Sequence, residues 1–131
     1  MIERLLLAGI LLMIGYVLFR VYRHQNLRVS SASDPLFAGL DLRTPTIVYF
    51  TTPMCIPCKT RQQPALNKLR TQLKGHLQVV QVDASEYPEV AQRWGVQTAP
   101  TTFVIDATGK AIAVNYGVAN EVLLTKQLKS A

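Results

Sequence analysis

Cys55 and Cys58 are the only thiols among the 131 residues, and they stand three positions apart in the segment TPMCIPCK. At that spacing both sulfurs face the same side of a helical turn. One can attack a foreign disulfide, and the other can then attack the mixed disulfide and release the reduced product. The residues before the pair, Thr46 to Thr51 (TIVYFT), are β-branched and aromatic and read as a buried strand. The residues after it read as a helix, which puts Cys55 at a helix N-terminus, where unpaired amides and the helix dipole favour a thiolate. Cys55 is therefore the expected nucleophile and Cys58 the expected resolving thiol. Pro57, with its fixed φ and missing amide hydrogen, suits the first helical turn.

Other readings of the pair stay open. Two small buried hydrophobes would have the same composition. A zinc site would have to recruit His24 and His76 from a linker and a distant loop, a poor ligand set. Met54, next to Cys55, leaves a copper-handling role in play. A disulfide-stapled secreted scaffold is excluded, because it needs several bridges closing longer loops.

The elements that must position the cysteines follow from periodicity. Lys59 to Lys74 sets Ala65, Leu66, Leu69 and Leu73 on one helical face, with Pro64 expected to kink the helix early and Gly75 to end it. Leu77 to Val82 reads as a second strand and Glu86 to Trp94 as a short helix stopped by Gly95. Thr101 to Ile105 and Ala111 to Tyr116 form a hairpin around ATGK, and Val118 to Lys129 is a last helix. Strands separated by helices are expected to be joined by right-handed parallel crossovers, and the last two strands to pair antiparallel. The result is an α/β fold with a mixed four-stranded sheet covered by helices. Trp94 and Phe103 are expected in the core, Tyr49 in the core ahead of a role beside the sulfurs, and Lys59, Arg61 and His76 in solvent.

The block FTTPMCIPCK, followed by VDASEYPEVAQRWGVQTAPTTFVID, the hairpin and Gly117, resembles the thioredoxin superfamily over residues 44–131. The resemblance implies a cis Pro100 facing the two sulfurs, and Ala99 and Pro100 as the place where a substrate backbone is held like an added strand. It implies no cofactor beyond a redox-active Cys55–Cys58 disulfide, and protein dithiols or disulfides as substrates with an unidentified redox partner. The sequence departs from thioredoxins proper at several points. Met54-Cys55-Ile56-Pro57-Cys58 replaces Trp-Cys-Gly-Pro-Cys, Tyr49 replaces a buried acid that handles protons, Val79 stands where a lysine is usual, and Pro64 comes one position late.

From Leu5 to Phe19 every residue is apolar or small except Tyr16, and the run continues through Arg20 to Tyr22. Eighteen helical residues reach roughly 27 Å, close to the thickness of a hydrocarbon core. An uncleaved transmembrane anchor is favoured over a signal peptide, because the one small-x-small site, Ser30-Ser31-Ala32, lies beyond Arg20, Arg23 and Arg28. The expected layout is an anchor at 1–22 crossing the bilayer with residues 5–22, a juxtamembrane linker at 23–43 whose Leu36, Phe37, Leu40 and Leu42 could pack on the domain, and a thioredoxin-like domain at 44–131. Arg20, Arg23 and Arg28 outnumber Arg4 and the terminal amine, which leans the domain towards the cytoplasm. Tethered members of the superfamily often face outward, in tension with that count.

Net charge is +6, but from Thr44 onward nine basic residues face five acids, and no basic stripe interleaves with aromatics. Nucleic acid is not an expected partner. The expected function is that of a membrane-tethered, monomeric thiol-disulfide oxidoreductase acting on protein substrates in redox homeostasis. The alternatives are a non-catalytic binding module using the same groove and, further off, a copper-handling protein.

Overall fold

Side chains that branch at Cβ lose little in an extended backbone and fill the space between layers, and Thr46–Thr51 consists almost entirely of such residues and aromatics. In the computed structural model, which describes residues 1–27 and 34–130 with the side chains of 23–27 excepted, this segment is β1, buried from Thr46 to Phe50. The other strands are β2 (Gln78–Asp83), β3 (Thr101–Ile105) and β4 (Ala111–Tyr116). The helices are α1 (Ile2–Leu27), α2 (Gln63–Gln72), α3 (Pro88–Arg93) and α4 (Glu121–Lys129).

The sheet order is β2-β1-β3-β4, with β1 and β2 parallel. β3 pairs antiparallel with both β1 and β4. The mixed four-stranded sheet is as expected, but the parallel crossover expected between the second and third strands is absent. The reason is length. α3 has six residues, about 9 Å of helix, too little to carry the chain back along a strand of about 17 Å. β3 therefore starts where β2 ends, with Thr101 opposite Phe50 near the end of β1.

Two apolar clusters pack on this sheet. One contains Ile47, Tyr49, Leu66, Leu69, Val104 and Leu124 together with both cysteines. The other gathers Phe37, Phe50, Trp94 and Phe103, with Val48 and Val82. Strand side chains alternate faces, so Ile47 and Tyr49 point one way while Val48 and Phe50 point the other. Trp94 meets Phe37, Phe50 and Phe103 with ring centroids 5.0 to 6.0 Å apart.

The chain ahead of β1 belongs to the second cluster. Asp34 caps a 3-10 turn, Pro35–Phe37, by accepting from the Leu36 amide, and its carboxylate also pairs with Arg93 at 3.1 Å. Phe37 is buried there, with Leu36, Leu40 and Leu42 packed beside it. Residues 28–33 of the anticipated linker, Ser30-Ser31-Ala32 among them, lie outside the described residues. α1 continues to Leu27, past the apolar run, and its segment Ile2–Tyr22 is long and apolar enough to cross a membrane.

Candidate active site

β1 delivers the chain to the turn at Thr52-Pro53, and the Cys55 amide closes that turn on the Thr52 carbonyl at 3.2 Å. Cys55 and Cys58 are joined as a disulfide with their Cα atoms 5.3 Å apart. The Cys58 amide donates to the Cys55 sulfur at 3.2 Å. This is one of the free amides that open a helix, and it is aimed at the atom that would carry negative charge after reduction. Cys55 is 8% exposed and Cys58 1%, so a partner reaches the first sulfur more readily than the second.

The helix behind the pair is irregular. Cys58–Gln62 forms a π-helical turn before α2 begins, and Pro64 sits at the start of α2. Pro64 has no amide to donate back into that turn, so the wider spacing lies where the missing donor falls. Gln62 is fully buried, with its side-chain amide paired to the backbone of Ala119. Sequence reasoning missed this residue, although positions 58, 62, 65, 66 and 69 share the face that meets the core. A glutamine on that face signals a buried polar contact.

Beneath the disulfide, Tyr49 is 1% exposed, and its hydroxyl donates to the Cys58 carbonyl across a long 3.4 Å. It is both a core residue and a hydroxyl beside the active turn. Burial holds its phenol above the ordinary range, against a smaller opposing effect from Thr51. Lys59, Arg61 and His76 are exposed, as expected. Among the described residues no cluster of three or more His, Cys, Asp or Glu could hold a metal ion.

The Ala99–Pro100 peptide is cis, and Ala99 packs against the cluster containing both cysteines. The Pro100 carbonyl accepts from the Gly117 amide at 2.8 Å, and Thr101 caps the loop on the Thr98 carbonyl at 2.7 Å. A groove of about 370 Å³ runs between Thr52, Val96, Thr98 and Ala99. Met54 and Ile56, on either side of Cys55, are 90% and 71% exposed. A larger cavity of about 590 Å³ lies between Phe19 and Tyr22 of α1 and the face of β4, lined by neither cysteine.

The chain matches the family described as Thioredoxin over residues 39–130. Thioredoxin 1 of Nostoc sp. is 29% identical over 90 residues, which make up 69% of this chain and 82% of that protein. A thioredoxin-like protein of Synechocystis sp. is 31% identical over 85 residues, 65% of this chain and 79% of the relative. Among solved structures, the oxidized form of mitochondrial thioredoxin 3 from Saccharomyces cerevisiae is similar with a TM-score of 0.58 at 30% identity, over 70% of this chain and 82% of that one.

Proposed function

Because the chain belongs to the thioredoxin family, whose members are thiol-disulfide oxidoreductases, we propose that it exchanges disulfides with protein substrates while tethered to a membrane by Ile2–Tyr22. Cys55 attacks the substrate disulfide. The substrate's leaving sulfur departs as a thiolate, and a mixed disulfide remains on Cys55. Cys58 then attacks the Cys55 sulfur, which forms the intramolecular disulfide and frees the second substrate thiol. Ala99 borders the groove that also takes in Thr52, and together with the cis-bonded Pro100 it presents the substrate backbone. The observation that carries this reading is the Cys58 amide held 3.2 Å from the sulfur of Cys55, the more exposed of the two residues, which favours the thiolate on Cys55 and supports it as the attacker.

The apolar face of the tether supports anchoring. Its large side chains, from Leu5 to Tyr22, are exposed to the surroundings, a cost in water and a gain in lipid. The test is to equilibrate the full chain, in detergent, across glutathione buffers and to count free thiols by mass. A single two-electron transition between about -270 mV and about -120 mV supports the reading. A pair that never closes across that range refutes it. Replacing Cys58 with Ser should then trap substrates on Cys55 as mixed disulfides, whereas a non-catalytic binding module would trap none.

A further inference from the structure

A thiol attacks as its thiolate, so Cys58 must lose a proton before it can resolve a mixed disulfide. Cys58 is almost fully buried, and the side chains clustered round it, among them Leu66, Ala119 and Leu124, are apolar. Behind it lies a second opening. A cavity of about 410 Å³ runs between the ends of β1 and β2, lined by Tyr49, Thr51, Cys58, Lys59 and Asp83 among others.

The titratable groups on this cavity offer only a weak base. Asp83 is the only carboxylate among its described lining residues, and its Oδ1 already accepts from the Ser85 hydroxyl and the Ser85 and Glu86 amides. Those bonds hold its carboxyl below the usual range, which weakens it as a proton acceptor. Lys59 carries the wrong charge. Tyr49 keeps its proton at neutral pH and spends it on the Cys58 carbonyl.

We propose that this cavity is the proton exit for Cys58, with Tyr49 as a positioning residue that fixes the Cys58 backbone while a small base from solution removes the thiol proton. This rests on the oxidoreductase reading. The proton passes from the Cys58 sulfur to the entering base, and the thiolate attacks Cys55. The Cys55–Cys58 bond forms as the Cys55–substrate bond breaks, and the departing substrate thiolate is reprotonated by the conjugate acid or by water. The dithiol loses two electrons and the substrate disulfide gains them.

The test uses the reduced full chain in detergent and the symmetric aryl disulfide of thionitrobenzoate, whose released thiolate is coloured. Attack by Cys55 releases one equivalent, and resolution by Cys58 releases the second in a separate phase. At constant pH and ionic strength, added imidazole should accelerate the second phase about tenfold and leave the first unchanged. Glutathione with the same reagent serves as the control and should show no imidazole effect. Tyr49→Asp, which sets a carboxylate beneath Cys58, should speed the second phase and abolish its response to imidazole. If both phases appear and imidazole leaves the second untouched in the native chain, the proton route is wrong while the oxidoreductase reading stands. If no first equivalent is released, that reading falls and the proton route with it.

Discussion

Gln62 and Ala119 exchange two hydrogen bonds across 57 residues of chain: the glutamine Nε2 donates to the Ala119 carbonyl at 3.0 Å, and the Ala119 amide donates to Oε1 at 2.9 Å. Both residues are fully buried. The pair locks the π-helical turn behind the disulfide to the loop that leads from β4 into α4. Gln62→Met, similar in volume, would leave the Ala119 amide and carbonyl buried without partners. The expected cost is about 1–3 kcal/mol, read as a lowered urea midpoint at an unchanged slope. A midpoint equal to that of the parent chain would show that water or a backbone shift replaces the bonds.

The two sulfurs should differ in reactivity once reduced. With limiting iodoacetamide, peptide mass mapping is expected to find the first label on Cys55, because it is the more exposed and faces the Cys58 amide. Equal labelling of the two would contradict the assignment of attacker and resolver.

Phe37 ties the segment ahead of β1 to the core around Trp94. Phe37→Ala should cost about 3 kcal/mol, and under limited proteolysis it should open cleavage sites between 34 and 45 that the parent chain protects. If the stability and the cleavage pattern stay unchanged, this segment contributes nothing to the fold.

Asp106 holds the β3–β4 turn by accepting from the Thr108 hydroxyl and amide and the Lys110 amide. Burial works to raise its pKa, but these hydrogen bonds and the Lys110 charge together outweigh it, and the carboxyl lies below its usual range. A depressed folded-state pKa contributes stability above the unfolded value of about 3.9, and that contribution fades as pH falls through the folded value. Asp106→Asn should therefore melt below the parent chain at neutral pH, with the gap narrowing below about pH 4. A gap that is constant with pH would show that the carboxylate charge is not what holds the turn.

Strand and helix types were readable from the chain because β-branched runs and helical apolar faces are local signals. The bounds of β1, β3 and β4 coincide with the TIVYFT, TTFVI and AIAVNY segments, and β2 lies one residue on from its expected place. The direction of β3 was not read, since periodicity carries no orientation and the segment from Glu86 to Trp94 yields only six residues of helix. Cys55, Cys58 and Ala99-Pro100 announced themselves by spacing and resemblance. Gln62 did not, because its partner is remote in sequence and no local pattern links a glutamine to one backbone unit 57 residues away. The engagement of Asp83 Oδ1 was equally hidden, being the product of a turn at Ser85 and Glu86.

Trp94 is the single tryptophan of the chain. It sits among three phenylalanines, in a different cluster from the one that contains the disulfide, and its indole N–H meets no hydrogen-bond partner among the described residues. A disulfide quenches indole emission at contact range, and here the sheet stands between the two. The fluorescence of this protein therefore reports whether the chain is folded and is blind to whether Cys55 and Cys58 are oxidised. The unfolding of the oxidised and of the reduced chain can therefore be compared through one and the same emission signal.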